Sequence, residues 1–531
     1  MHARWTLAAL LPLVAAPAAA RVTAAEHCAA LAALALPGTE IEAASAIPAS
    51  RTLPAYCKVR GTIERRVGAG GVEFGIGFEL RLPDRWNRRF FFQGGAGSDG
   101  VIFPPIGYVQ GLAGAMDTEA SALSRRFAVV STDAGHQGFD AGFGVDPQAR
   151  IDYAYRAIDV VTRRAKEILA HYYGRLPKRS YIVGCSNGGR QAMIAAQRFP
   201  EHFDGAVAAS PAFDLSRVMV GIAWDTIAFD AIAPSDGAGG RILAAALSDD
   251  DLALVAAGVL AACDELDGLA DGIVAAPSAC RFDPATLACP GAKTPSCLSA
   301  PQVAALARVF DGAHDSAGTP LYASWPWDPG IASLGWRSWK LGISPTAQPN
   351  ALNIQVGFAM IRHLFLTPPD PAFDPLGFDF DTDPARLAEA GALIDATSTA
   401  LDAFRRRHGK LLIYAGVADP VFSARDLVAY YDRLAEAQGG LRATRRFARL
   451  FLVPGMTHCS GGPAFDRFDA LSVIVRWVEK GRAPARIVAS GAAFPGRTRP
   501  LCAHPAEARY RGGDPRRAAS FRCMRPAVAG E

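Results

Sequence analysis

No stretch of this sequence is apolar for long enough to cross a bilayer. The runs at residues 5–16 and 252–262 both fall short of the ~20 residues a spanning helix needs. Histidine is sparse, ten among 531 residues, and no C-x-x-C pair occurs. Those two absences argue against a structural zinc site. Positive charge is nearly all arginine, scattered along the chain rather than gathered in one basic tract, and the formal net charge is only +4. A nucleic-acid surface or a polybasic membrane patch would need clustering, so these charges read as a solvated face. Internal repeats and low-complexity tracts are missing beyond the N-terminal segment.

What is present begins with that segment. Arg4 precedes the apolar run, and Pro17-Ala18-Ala19-Ala20 follows it. A basic start, a short apolar centre and small residues at the end make residues 1–20 a secretory signal peptide, cleaved near Ala20. Cys28 comes too late to accept a lipid at that point, so the mature chain is expected to be secreted or periplasmic. Ten cysteines fit export, because an even number in an oxidising compartment favours disulfides. Neighbours in sequence make plausible short loops: Cys28 with Cys57, Cys263 with Cys280, Cys289 with Cys297, and Cys502 with Cys523. Cys185 and Cys459 remain, far apart in the chain.

Two segments read as halves of one α/β domain, residues 21–212 and 401–531. Strand-like runs at 78–82, 89–93, 127–132 and 180–183 alternate with helical stretches such as 152–172. The same texture returns with strands at 411–414 and 449–453 and helices at 423–437 and 470–480. Short apolar strands separated by helices favour a parallel sheet with crossovers. Residues 213–400 differ: they carry four of the ten cysteines, with Pro, Trp and Asp clusters. They read as a loop-rich lid domain inserted between two strands.

Gly184-Cys185-Ser186-Asn187-Gly188 fits the G-x-S-x-G turn that presents a nucleophile between a strand and a helix. Its glycines relieve crowding, and the start of the following helix offers free N–H groups to an oxyanion. The fold class is therefore an α/β-hydrolase. In that class acid and base follow the serine, on loops after later strands. His458 alone follows a clear late strand; His136 is its rival but precedes the serine. Asp419 follows the 411–414 strand, with Asp426 the nearest competitor and a simple turn aspartate the plain alternative. If Ser186 and His458 are in hydrogen-bond reach, Cys185 and Cys459 must also be close. A bridge between them would close a loop of roughly 270 residues.

Cys185-Ser186, Asp419 and His458-Cys459 together resemble the hallmark of the tannase and feruloyl esterase family, where the two cysteines are bridged. The resemblance extends over residues 90–100 (FFFQGGAGSDG), 180–191, 263–274 (CDELDGLADGIV) and 450–462 (LFLVPGMTHCSGG). It looks especially close to the bacterial branch that contains terephthalate-monoester hydrolase. The resemblance implies a Ser186–His458–Asp419 triad, with an oxyanion hole from the backbone N–H groups of Gly97 and Asn187. It implies a structural Ca²⁺ held by Asp264, Asp267 and Asp271 and the carbonyls of Leu269 and Ile273. Hard oxygen donors with tight glycine turns suit that ion, although the spacing is not that of an EF-hand.

The reaction implied is acyl transfer from an ester to water, with no redox cofactor, nucleic acid or membrane span involved. Trp339, Phe358 and Phe422 are the candidates to wall the acyl pocket. The terephthalate-monoester branch carries a lid arginine for the substrate carboxylate. Residues 350–358 contain none at the matching place, unless Arg362 or Lys340 substitutes. The expectation is therefore a small, uncharged aromatic ester of feruloyl or galloyl type. The alternatives are a terephthalate monoester, or another serine-hydrolase substrate on the same fold. Nothing in the sequence addresses oligomeric state.

Overall fold

The computed structural model describes residues 23–112, 114 and 120–526. The expected signal peptide lies outside the described residues. Nine strands form the main sheet: β1 (Thr39–Ile47), β2 (Tyr56–Val67), β3 (Glu73–Pro83), β4 (Arg89–Gln93), β5 (Ala128–Thr132), β6 (Arg179–Cys185), β7 (Gly205–Ala209), β8 (Lys410–Gly416) and β9 (Ala448–Val453). Their spatial order is β1-β2-β3-β5-β4-β6-β7-β8-β9. From β5 to β9 every pairing is parallel, whereas β1, β2 and β3 add an antiparallel edge. The parallel strands are short apolar runs such as Phe90-Phe91-Phe92, buried on both faces, as a sheet covered by helices on each side requires. This is the α/β-hydrolase arrangement expected.

Each boundary expected for the parallel strands lies within about two residues of the structure's. The edge strands β1 and β2 were not foreseen, because their charged residues alternate with apolar ones at a half-solvated edge. Strand β7, Gly205-Ala206-Val207-Ala208-Ala209, was missed as well, since alanine and glycine carry little strand preference. The expected helix at 152–172 is broken by a π-turn at Asp152–Arg156 before the regular helix α1 (Ala157–Tyr173). The helix expected to follow the nucleophile turn is α2 (Asn187–Arg198), which starts directly behind Ser186.

Between β7 and β8 the chain contributes no strand to the main sheet among the described residues. This segment is more helical than its Pro and Asp content suggests. It includes α3 (Leu215–Asp230), α4 (Asp249–Cys263), α5 (Ala300–Asp311), α6 (Leu334–Lys340) and π-helical turns at Asn353–Phe358 and Ile361–Phe365. Helix α3 is apolar on nearly every face and is buried accordingly. Behind β9 follow α7 (Ala470–Lys480) and two hairpins, Arg486–Ala489 with Arg499–Cys502 and Glu507–Tyr510 with Phe521–Met524.

All ten cysteines are paired. The bridges are Cys28–Cys57, Cys185–Cys459, Cys263–Cys280, Cys289–Cys297 and Cys502–Cys523. No described helix is long and apolar enough to cross a membrane.

Candidate active site

The sheet topology creates the crevice. From β4 the chain moves to β5 on one side and then returns to β6 on the other, so the loops behind β4 and β6 diverge from adjacent parallel strands. In open α/β sheets such a switch point is where ligands bind. Gln93 pairs with Val183 across these strands, and the Gly94 N–H donates to the Val183 carbonyl at 3.0 Å. The glycine-rich loop and the nucleophile turn therefore leave the sheet side by side.

Ser186 adopts φ 61° and ψ −125°, a strained conformation for a residue with a Cβ. The turn is tight enough that a Cβ on Gly184 would sit 2.4 Å from the Gly188 carbonyl carbon, and one on Gly188 would sit 2.6 Å from the Gly95 oxygen. The Ser186 N–H donates to the Ala209 carbonyl on β7 at 3.0 Å. Its own carbonyl accepts from Arg190 and Ala212 at 3.0 and 3.1 Å. The strain is thus held from both sides.

Asp419 and His458 occupy the loops behind β8 and β9. His458 Nδ1 lies 3.0 Å from Asp419 Oδ2, and the carboxylate is fully buried. Its other oxygen accepts the N–H groups of Val421 at 2.9 Å and Phe422 at 3.2 Å. Cys185 and Cys459, which adjoin Ser186 and His458, have Cα atoms 6.0 Å apart. The bridge thus brings the serine and histidine loops together. The competing residues have other surroundings. His136 is buried and stacked on Phe143 at 3.7 Å. Asp426 faces Arg217 at 3.4 Å.

The oxyanion candidates face each other across the crevice. Gly97 has φ +57°, and Asn187 is the first residue of α2. Behind them lies Asp99, fully buried, which sequence reasoning overlooked. Asp99 Oδ1 accepts the Asn187 side-chain amide, and Oδ2 accepts Gln191 Nε2 at 2.7 Å. Burial pushes the Asp99 carboxyl up to about 7, against the pull of these donors. The half-exposed ring of Phe139 lies over Gly97, with ring atoms 2.7–3.4 Å from where a Cβ would stand.

A small cavity opens at this point, with Ser186, Asn187, Gly97, Trp339 and Phe422 among its walls. Among the described residues, none that lines it is charged. Trp339 and Phe422 meet the His458 ring edge-on, with centroids 5.5 and 5.2 Å away. Phe358 is not among the lining residues. The π-helical turn instead presents Val356 and Gly357, and Phe358 is buried in the core. Neither candidate substitute for a lid arginine reaches the cavity. Lys340 is buried against Asp225, with its ammonium 4.0 Å over Trp325, and Arg362 Nε donates to the Phe373 carbonyl at 2.6 Å. A larger cleft, about 1200 Å³, lies beside the C-terminal hairpins, and neither Ser186 nor His458 lines it.

The acidic turn expected to hold calcium follows α4. Asp264 accepts the N–H groups of Gly272 at 2.8 Å and Ile273 at 3.1 Å. Asp267 accepts from Leu269 at 3.0 Å. Burial pushes the Asp267 carboxyl up to about 6, and the charges of Asp271 and Asp264 add to this. The donor types suit a hard cation, but the side chains are not gathered around one point. Asp271 is instead turned to Arg497 and Arg499. Among the described residues no group of three or more His, Cys, Asp and Glu side chains is arranged to hold a metal.

Comparison with known proteins supplies the context for this geometry. Residues 57–524 match the family model described as "Tannase and feruloyl esterase". Mono(2-hydroxyethyl) terephthalate hydrolase of Piscinibacter sakaiensis is 44% identical over 540 residues, covering 91% of this chain and 87% of that protein. An uncharacterized esterase of Xanthomonas campestris pv. campestris is 34% identical, covering 94% and 92%. The crystal structure of an esterase from Aspergillus oryzae superimposes with a TM-score of 0.79 at 25% identity, covering 94% of this chain and all of that one.

Proposed function

This chain belongs to the tannase and feruloyl esterase family and is a carboxylic ester hydrolase; from that premise we propose that Ser186, His458 and Asp419 form its catalytic triad. The observation that carries the reading is the Asp419–His458 contact at 3.0 Å, tied to the Ser186 turn by the Cys185–Cys459 bridge. In this reading His458 Nε2 takes the Ser186 proton as the hydroxyl oxygen attacks the ester carbonyl. The N–H groups of Gly97 and Asn187 receive the developing oxyanion. The alcohol leaves with the proton from His458, and water then hydrolyses the acyl-enzyme by the same steps in reverse order. Ser186→Ala tests this directly: ester turnover should fall to background, and unchanged turnover would refute the assignment.

The substrate proposed is an uncharged aromatic ester of feruloyl or galloyl type. Aromatic walls from Trp339 and Phe422 and the absence of charge in the lining support it. A terephthalate monoester is the second reading, favoured by the 44% identity to the Piscinibacter sakaiensis enzyme. Its free carboxylate would need a cationic partner that the cavity lining does not offer. Methyl ferulate, methyl gallate and the terephthalate monoester, assayed side by side, separate the two. A higher kcat/KM on the monoester would overturn the first.

We further propose a structural calcium at Asp264, Asp267 and Asp271, with carbonyls from Leu269 and Ile273. Three carboxylates within one glycine-bounded turn support it, while the Arg497 and Arg499 contacts to Asp271 offer the competing means of neutralisation. Chelator should lower Tm and added Ca²⁺ restore it; an unchanged Tm would leave the arginines as the only counter-charge. Export through cleavage near Ala20 is proposed on the same footing, supported by the five disulfides. N-terminal sequencing of protein recovered outside the cytoplasm tests it.

A further inference from the structure

The nucleophile helix and the glycine-rich loop are joined by one continuous chain of hydrogen bonds. The Gly95 N–H donates to Gln191 Oε1 at 3.0 Å, and Gln191 Nε2 donates to Asp99 Oδ2 at 2.7 Å. Asp99 Oδ1 accepts from Asn187 Nδ2, and Asn187 Oδ1 accepts from Arg190 Nε at 2.8 Å. The remaining guanidinium nitrogens of Arg190 donate to the carbonyls of Tyr153, Ala154 and Ile394.

Every donor and acceptor assignment along this chain of bonds is forced by its neighbour. The Gly95 N–H and the Arg190 guanidinium can only donate. They therefore fix the oxygen ends of Gln191 and Asn187, which turns both amide nitrogens toward Asp99. That residue must accept on both oxygens, so a side chain with a single acceptor cannot replace it. Asp99 holds this position at φ +57°, a left-handed conformation unusual for a residue with a Cβ. It is fully buried, so water cannot stand in for a lost partner.

We propose that Asp99 is a positioning residue, whose carboxylate clasps Asn187 and Gln191 and so fixes the Gly97 and Asn187 N–H groups relative to each other. This rests on the acyl-transfer reading above. Asp99 and Gly95 flank Gly97 on one element, whereas Asn187 and Gln191 lie one turn apart on the other. No covalent link joins the two elements locally. An oxyanion hole assembled from separate elements loses rate when they shift by fractions of an ångström.

The chemistry suggests a swap. In Asp99→Asn the introduced amide can still accept from Asn187, but its nitrogen meets the Gln191 nitrogen, donor against donor. Adding Gln191→Glu supplies an acceptor for that nitrogen and keeps an oxygen for the Gly95 N–H. The carboxylate is thereby moved across one hydrogen bond with overall charge conserved. Expected values are a kcat for Asp99→Asn reduced about 10- to 100-fold with KM within about threefold, and a kcat for Asp99→Asn/Gln191→Glu within about threefold of wild type.

The inference is overturned if folded Asp99→Asn keeps its kcat. It is also overturned if the double variant recovers Tm without kcat, which would mark a merely structural clasp. If Asp99→Asn does not fold, the double variant decides alone: refolding with near-native kcat supports the proposal, and any other result refutes it. Ser186→Ala assayed alongside separates the two levels, because turnover surviving in that variant would sink the triad reading whatever the Asp99 variants do.

Discussion

His458 Nδ1 meets one oxygen of Asp419 at 3.0 Å, while the other oxygen is held by the N–H groups of Val421 and Phe422. The acid is pinned by its own loop and presents a single face to the imidazole. In Asp419→Asn the backbone donors would keep the amide oxygen, turning the nitrogen toward His458 and forcing the wrong tautomer. We expect kcat to fall by roughly 10⁴-fold with KM little changed. A fall of less than tenfold in steady-state assays would remove Asp419 from the role.

The Cys185–Cys459 bridge spans 274 residues. Chain entropy assigns such a loop about 5 kcal/mol of stabilisation as an upper value. Its second effect is local, because Cys459 stands at φ +67° immediately after His458. Cys185→Ala/Cys459→Ala is expected to lower Tm and kcat together, with KM less affected. Calorimetry and kinetics on the variant check both; a loss of Tm alone would mean that the bridge does not align base and nucleophile.

The contrast between readable and unreadable features has a physical basis. Continuous apolar runs such as Leu411-Leu412-Ile413 betray strands buried on both faces, and a loop residue directly behind such a run is placed by it. Asp419 and His458 were legible for that reason. The Cys185–Cys459 pairing was legible only through the proximity expected of Ser186 and His458 and through the family resemblance, since spacing left both cysteines without a near neighbour. Asp99 gave no signal: it sits in a glycine-rich loop, and only the pairing of β4 with β6 brings it under α2. Phe358 ends a π-helical turn of which Val356 and Gly357, not Phe358, line the cavity.

Lys340 and Asp225 form an ion pair with both side chains buried. Removing one partner leaves the other charge without compensation, whereas removing both need not destabilise. Lys340→Met is expected to cost about 3–5 kcal/mol, and Lys340→Met/Asp225→Leu to recover most of it in urea unfolding. Because the pair does not reach the cavity, kcat/KM on a neutral ester should stay within about threefold in the double variant. A larger loss would bring Lys340 back as a substrate contact.

His136 makes an opposite kind of demand. Its ring is buried, and burial lowers its pKa to about 4 although Asp140 and the Ser98 backbone pull the other way. An unfolded histidine titrates near 6.5. Between those values the unfolded chain binds a proton that the folded chain refuses, so this residue destabilises the fold as pH drops from about 6.5 to about 4. Asp133, Asp395 and Asp426, each raised to about 7 by burial, act in the reverse sense. They take up protons in the folded state first and favour it as pH falls through the same range. The net slope of the wild type therefore hides the histidine. Comparing His136→Phe with wild type at two pH values isolates it, because packing changes cancel in the difference. The variant should gain about 2–3 kcal/mol relative to wild type on going from pH 7.5 to pH 4.5. Equal pH slopes for the two proteins would mean that His136 is protonated in the folded state.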